Sequence, residues 1–173
     1  TQSRSSAASD VYKRQPSFRG RRIEAGLLSA GQDFDKNTNP FSVGLGKFVD
    51  LDKENFIGKE ALVAADKKCK TWGIRIKDGI ALKGNSLYIK DKLVGKVTSS
   101  TWSPYQVCGV GIVHMNNYDL GPGAILDVKC TDGNIRKGEL CKLPMYDVKG
   151  EIVRGVNKDI PSQPKPWEGF SNN

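Results

Sequence analysis

The pattern of hydrophobic and polar residues changes near Thr71. Before that point, Ile23 and Leu27 lie four residues apart within Arg19–Ser29, which is the spacing of one face of a helix. After it, turn sequences separate six short runs that are rich in β-branched residues: Thr71–Lys77, Ser86–Lys90, Leu93–Thr101, Val107–Met115, Ala124–Cys130 and Asn134–Leu143. Short strands at regular spacing are typical of a closed sandwich or barrel.

The segments between and after these elements have weaker patterns. Gly31–Pro40 is a polar loop, Phe41–Leu51 is predicted to be extended, and a second helix is predicted to begin near Gly58. The last residues, Val148–Asn173, hold three prolines and little periodicity, so an extended tail is predicted. Trp167 either anchors this tail on the body or is a stray aromatic residue on a disordered end.

Gly26 lies inside the first predicted helix. A glycine in a helix interior costs about 1 kcal/mol relative to alanine. We therefore expect a close packing contact or a ligand contact at this position.

The first residues, 1–15, are predicted to be a leader that is not native protein. Ser5–Gln15 reads SSAASDVYKRQ, which back-translates codon by codon into an adapter oligonucleotide used for sequencing libraries. The leader has no apolar centre, so it is not a secretion signal. We expect protein upstream of these residues to be missing from the chain.

The net charge of the chain is +8. Without the leader, 24 basic and 18 acidic residues leave +6, which is enough to attract nucleic acid or a polyanionic cofactor. A basic barrel that stacks single-stranded nucleic acid on Tyr88, Trp102 and Tyr105 is one hypothesis, and it predicts salt-sensitive binding. Because acidic residues separate the basic ones, as in Lys90-Asp91-Lys92, we favour a solvated surface and no nucleic-acid partner.

The cysteine and histidine content disfavours metal sites. Cys69, Cys108, Cys130 and Cys141 form no C-x-x-C pair, and His114 is the single histidine, so neither a zinc site nor a histidine-based triad is predicted. No apolar stretch reaches the roughly 20 residues that span a membrane, so no membrane partner is expected. Four cysteines without a disulfide framework indicate reduced thiols and a cytoplasmic location.

Four segments, in order, resemble one family. Arg22–Leu28 and Gly31–Asp35 read RIEAGLL and GQDFD, similar to R-x-E-x-G and G-x-D-x-D of T-protein-type aminomethyltransferases of the glycine cleavage system. Phe56–Leu62 matches the family's F-[IL]-G-[KR]-E-x-L segment. Gly95–Pro104 resembles G-x-V-T-S-x-x-x-S-P, and Leu143–Tyr146 resembles the L-P-F ending.

The resemblance implies a three-lobed enzyme that holds tetrahydrofolate in a central channel. The fold class would be α+β, mainly β, with the end of a folate-binding α/β lobe (16–66), a C-terminal six-stranded antiparallel β-barrel (67–147) and a tail (148–173). The family aspartate that assists catalysis lies in the first lobe, so the catalytic group of this protein is unknown. We expect the chain alone to be inactive.

The resemblance also implies site residues. Arg22 matches the family arginine that contacts folate, and a guanidinium group suits the carboxylates of that cofactor. Glu24 is a second cofactor-binding candidate, or it orients Arg22 or has a structural role. Trp102 either packs the barrel or faces the substrate near the lobe junction.

Between two branches of the family, we favour the dimethylsulfoniopropionate demethylases, with the glycine-cleavage T-proteins as the alternative. T-proteins usually carry a tryptophan directly after a G-x-G segment. In this chain Gly44-Leu45-Gly46 is followed by Lys47 and Phe48, so both are candidates to face substrate or cofactor. Asn39-Pro40-Phe41 and Thr101-Trp102-Ser103-Pro104 look more like dimethylsulfoniopropionate demethylases, which pass a sulfonium methyl group to tetrahydrofolate. The tyrosine common to both branches is replaced by Ala30.

Each branch implies its own partner. The partner is a small-molecule methyl or aminomethyl donor, carried on a lipoyl protein in the T-protein branch. A non-catalytic folate-binding accessory protein is a further alternative.

Overall fold

The computed structural model describes residues 18–116, 120–152, 154–158 and 163–170, so the predicted leader lies outside the described residues. All six predicted strands are confirmed to within two residues at each end. They are β1 (Thr71–Ile76), β2 (Ser86–Ile89), β3 (Lys92–Ser103), β4 (Cys108–Met115), β5 (Ile125–Lys129) and β6 (Ile135–Cys141).

The strands form a closed antiparallel barrel in the order β1-β4-β3-β2-β5-β6. Pairing of β1 with β6, with Ile74 opposite Leu140, closes the sheet on itself. Strand β3 is the longest and changes register at a bulge between Val97 and Ser99. The predicted fold class, mainly β with a six-stranded antiparallel barrel, is therefore confirmed.

Strand β4 is buried on both of its faces, which explains why its sequence is a continuous apolar run. Val113 and Met115 belong to the barrel interior, whereas Val110 and Ile112 belong to a second cluster outside the barrel. Ile23, which is fully buried, packs in that second cluster. The residues before the barrel are thus attached to its outer surface by hydrophobic contacts.

The first helix is shorter than predicted. Residues 18–24 are helical, whereas the prediction was Arg19–Ser29. Gly26 adopts φ +70°, and the amides of Gly26 and Leu27 donate to the carbonyl oxygens of Ile23 and Arg22. This is a Schellman motif, in which a left-handed glycine ends the helix. A Cβ atom on Gly26 would lie 2.9 Å from Leu143 Cβ, so the expected close packing contact is present.

The extended conformation predicted for Phe41–Leu51 is wrong. Turns and a short 3-10 helix, Gly46–Phe48, occupy this segment. The carbonyl oxygen of Pro40 and the side chain of Asn39 accept backbone hydrogen bonds at 2.9 Å, which curl the chain instead of extending it. The second predicted helix is present at Lys59–Ala64. Within the described ranges, no helix is both long enough and apolar enough to cross a membrane.

The tail is extended only in part. The Asp147 carboxylate accepts hydrogen bonds from the amides of Glu151 and Ile152 at 2.8 and 3.1 Å, and this capping holds a turn that was not predicted. Farther along, Trp167 donates its amide to Gln106 at 2.8 Å and packs on the second cluster. Trp167 therefore anchors the tail.

Candidate functional site

The residues before the barrel meet strand β3 in a polar cluster, the Arg22–Asp33 cluster, formed by Arg22, Ser29, Asp33, Thr98 and Ser99. Arg22 Nη1 donates to Asp33 Oδ2 at 2.9 Å, and Arg22 Nη2 donates to Ser99 Oγ at 2.8 Å. The Schellman turn supplies a further acceptor, because Arg22 Nη1 also donates to the carbonyl oxygen of Leu27 at 3.0 Å. The guanidinium group is therefore held at both of its terminal nitrogens.

The Asp33 carboxylate is the centre of this cluster. Its Oδ1 accepts from Thr98 Oγ1 and Ser99 Oγ at 2.6 Å each, and its Oδ2 accepts from the Ser29 amide at 2.9 Å in addition to Arg22. Burial acts to raise the pKa of Asp33. The hydrogen bonds from Ser99, Thr98, Ser29 and Arg22 together outweigh burial and hold the pKa below its ordinary value. The carboxylate is thus kept ionised beside the arginine.

Glu24 belongs to a separate buried network, at the end of β3. Ser103 Oγ donates to the Glu24 carboxylate and accepts from the Gln106 amide at 2.9 Å. The Glu24 carbonyl oxygen accepts from the Met145 amide at 2.7 Å, and Arg75 bridges Gln106 Oε1 and the Met145 carbonyl oxygen. Glu24 thereby joins the first helix to the β3–β4 turn and to the segment after β6.

The structure therefore places the two predicted cofactor residues differently. Arg22 keeps 13% of its side-chain surface exposed, whereas Glu24 as a residue is only 3% exposed. A partly exposed arginine side chain can meet a ligand, while a buried carboxylate with a hydroxyl partner already has its interaction satisfied. A cofactor-binding role for Glu24 stays a prediction, and its contacts favour the structural alternative.

Trp102 lies on β3 beside the contacts with the first helix, but its side chain points away from that helix. Thr101 and Ser103 approach Gly20 and Glu24, and neighbouring side chains of a strand point to opposite faces. Trp102 is half-buried on the other face and pairs with Gly109 of β4. A substrate-facing role for Trp102 stays a prediction.

Lys47 and Phe48 lie on the 3-10 helix, at the protein surface. Lys47 Nζ is 5.0 Å from the centroid of the Phe48 ring, a cation–π geometry, and 74% of Phe48 is exposed. Two adjacent exposed side chains of this kind are available for contact with a ligand or with another part of a larger protein. Their predicted role is untested.

Comparison with known proteins identifies the barrel. Residues 70–147 match the family described as "Glycine cleavage T-protein C-terminal barrel domain". The chain is 35% identical over 138 residues to an aminomethyltransferase of Thermotoga sp. (strain RQ2), and 34% identical over 141 residues to one of Aquifex aeolicus. These matches support the glycine cleavage T-protein family.

A solved T-protein structure has the same fold. The aminomethyltransferase T of Bartonella henselae superposes with a TM-score of 0.63 at 22% identity, over 73% of this chain and 37% of that one. The matches to the Thermotoga and Aquifex relatives cover 78% and 81% of this chain but 37% and 35% of the relatives. The chain therefore spans little more than a third of the length of these proteins.

The Arg22–Asp33 cluster holds one guanidinium group and one carboxylate, which are joined by a hydrogen bond. Its described hydrogen bonds occupy three of the five N–H donors of the guanidinium group, and the Arg22 side chain is 13% exposed. Among the described residues, no group of three or more histidine, cysteine, aspartate or glutamate side chains could hold a metal ion. Of the groups in this cluster, the guanidinium group is the one whose chemistry suits an anion such as a carboxylate.

Sequence reasoning missed Thr98, Ser99, Ser103 and Gln106 as parts of these networks. All four are buried, and Ser103 is fully so. A signal was present, because hydroxyl residues in a strand that is otherwise buried need partners. The carboxylate partners of Thr98, Ser99 and Ser103 lie 65 to 79 residues away in sequence, so the pairing itself could not be identified without the fold.

Proposed function

We propose that this chain is the C-terminal part of a longer, tetrahydrofolate-dependent transferase that moves an aminomethyl group. The observation that carries the proposal is the guanidinium group of Arg22, which Asp33 and Ser99 hold on a partly exposed side chain, in a protein whose relatives are named aminomethyltransferases. The division into a lobe end (16–66), a barrel (67–147) and a tail (148–173) belongs to the same proposal, as does a cytoplasmic location.

The residues of this chain would bind and orient the cofactor. Arg22 would hold a carboxylate of tetrahydrofolate, with Asp33 and Ser99 behind the guanidinium group. When bound, tetrahydrofolate supplies the nitrogen that accepts the one-carbon unit. Proximity of donor and acceptor, with exclusion of water, is the contribution that the surrounding protein makes to such a transfer.

The barrel gives this arginine a rigid support. Arg22 lies in the first helix, whose Ile23 packs with Val110 and Ile112 of β4, and its partner Ser99 lies on β3. A binding group that is built on regular elements is held more accurately than one on a free loop. The catalytic group is expected in the upstream part of the protein, so this chain alone is expected to be inactive.

Tetrahydrofolate binding by the full-length protein tests this function. We expect Arg22→Ala to weaken binding about 10- to 100-fold, since hydrogen bonds to a charged group contribute about 1.5–3 kcal/mol. Arg136→Ala is the matched control, because Arg136 of β6 also pairs with an aspartate, Asp132 of the β5–β6 turn, and neither belongs to the Arg22–Asp33 cluster. Equal affinities in the two variants would contradict the role of Arg22.

Methyl transfer from a sulfonium donor such as dimethylsulfoniopropionate is the second candidate function. The observation in its favour is Lys47, exposed at the position where T-proteins usually carry tryptophan. A lysine there removes a flat aromatic wall and changes what can pack beside the cofactor. The two functions differ in their product: aminomethyl transfer gives a methylene-bridged folate, and sulfonium demethylation gives 5-methyltetrahydrofolate.

A non-catalytic folate-binding accessory protein is the remaining alternative. It predicts the same dependence of folate binding on Arg22 and no one-carbon product with either donor. A lipoyl carrier protein would be the partner only in the aminomethyl case. Product analysis therefore separates all three.

A further inference from the structure

We propose that Asp33 is a positioning residue for Arg22. In this role the Asp33 carboxylate, together with Ser99, fixes the guanidinium group in the orientation that binds a carboxylate of tetrahydrofolate. The proposal rests on the proposed function, because it assigns a role to a residue that supports the folate-binding arginine.

The position of Asp33 is set mostly by groups other than Arg22. Three of the four hydrogen bonds to its carboxylate come from the Ser29 amide at 2.9 Å and from the hydroxyl groups of Thr98 and Ser99 at 2.6 Å. Arg22 supplies the fourth. The carboxylate is therefore fixed between the loop that follows the first helix and β3, and Arg22 pairs with an acceptor whose position other groups have already set.

Ser99 forms a second link between Arg22 and Asp33, beside their direct hydrogen bond. Its hydroxyl donates to Asp33 Oδ1 and accepts from Arg22 Nη2, so one side chain contacts both members of the ion pair. The guanidinium group is planar and rigid, and contacts at Nη1 and Nη2 leave it little rotational freedom. An arginine that is ordered before binding loses less conformational freedom when the ligand arrives.

Asp33 could affect tetrahydrofolate binding through the orientation of Arg22 or through its own negative charge. The two predict opposite effects of removing the carboxylate. The side chain of Asp33 is fully buried, and its negative charge offsets the positive charge that attracts a folate carboxylate. If charge alone mattered, Asp33→Asn would strengthen binding. If Asp33 positions Arg22, the same variant weakens binding, because the amide cannot accept all four hydrogen bonds in the same way.

The test is a double-mutant cycle in the full-length protein, with affinities measured by titration calorimetry. The ligands are tetrahydrofolate and 6-methyltetrahydropterin, which lacks the glutamate carboxylates. We expect Asp33→Asn to weaken tetrahydrofolate binding about tenfold, to leave the pterin unchanged, and to add nothing in an Arg22→Ala background. Asp132→Asn, which breaks the distant Asp132–Arg136 pair, is the matched control and should change neither affinity.

Three results would overturn the positioning role. They are equal weakening of both ligands by Asp33→Asn, a loss that adds to that of Arg22→Ala, and tighter binding of tetrahydrofolate. Ser99→Ala serves if Asp33→Asn does not fold, since it removes one contact to each charged group. It should weaken tetrahydrofolate about threefold with the same ligand selectivity. If the unsubstituted protein binds no tetrahydrofolate, the proposed function itself fails, and the positioning role with it.

Discussion

Arg22 and Asp33 form an ion pair with 2.9 Å between Arg22 Nη1 and Asp33 Oδ2, and the Asp33 side chain has no exposed surface. The pair lies where the segment before the barrel meets β3. Burial of two charges is favourable only when hydrogen bonds satisfy them, and here the surrounding backbone and hydroxyl groups do so. This relationship links the fold to the proposed site, because the same contacts that attach the segment also orient the arginine.

Acid should weaken the protein through Asp33. Its folded pKa lies below the ordinary value of 3.8, so the stability it contributes is complete above about pH 5. That contribution is lost as the pH falls from there through the folded pKa. We predict that the difference in free energy of unfolding between the native sequence and Asp33→Asn shrinks between pH 5 and pH 3. Urea unfolding at each pH measures it, and a constant difference would contradict the prediction.

His114 should give the protein a second pH dependence, nearer neutrality. Burial, followed by the charges of Lys70 and Lys96, lowers the pKa of this imidazole below 6.5, so the folded state favours the neutral ring. The free energy of unfolding should therefore fall as the pH drops from 7 toward 5.5. His114→Gln should remove this slope. Urea unfolding between pH 5.5 and 7.5 measures the slope, and an equal slope in both proteins would refute the assignment.

Ser103→Ala should destabilise the protein. The substitution leaves the buried Glu24 carboxylate and the Gln106 amide without their shared hydroxyl partner, at a cost of about 1–3 kcal/mol. Ser100→Ala, at a half-buried position of the same strand, is the control and should cost about 0.5 kcal/mol or less. Chemical unfolding compares the two, and similar losses in both would show that the network is unimportant.

Gly26→Ala should also destabilise the protein, because a Cβ atom would meet Leu143 and the left-handed backbone is strained for alanine. The backbone strain alone is about 1–2 kcal/mol. Gly121→Ala is the matched control, since nothing lies within 4 Å of the added atom and the backbone is not left-handed. A thermal melt should show a lower Tm for Gly26→Ala only. Equal Tm values would mean that the helix end tolerates a side chain.

The barrel could be predicted from sequence because its strands and turns are marked by patterns among neighbouring residues. Each strand alternates or forms a short apolar run, and every connection except the β3–β4 turn carries glycine, asparagine or aspartate, so the six strands follow from neighbouring residues. The end of the first helix was missed, since Gly26 was treated as a weakness within the helix and not as its left-handed terminator. Phe41–Leu51 was missed because side-chain caps such as Asn39 override a glycine-rich pattern that suggests extension.

The candidate site was predictable only in part. Arg22 was identified through the resemblance, but its partners Asp33 and Ser99 come from segments that meet only in the folded protein. Glu24 was predicted to bind cofactor from its place beside Arg22 in the motif. In the structure the two side chains lie in different networks, because Arg22 contacts the Schellman turn and Asp33, whereas Glu24 contacts Ser103.

The measurement that tests the central claim most directly is product analysis with the full-length protein. The protein is incubated with tetrahydrofolate and either an aminomethyl-loaded lipoyl carrier or dimethylsulfoniopropionate, and the folate product is identified by mass. We predict 5,10-methylenetetrahydrofolate from the lipoyl carrier, and its loss or strong reduction in Arg22→Ala but not in Arg136→Ala. Formation of 5-methyltetrahydrofolate would select the sulfonium branch instead. No one-carbon folate product from either donor would contradict the assignment as a transferase.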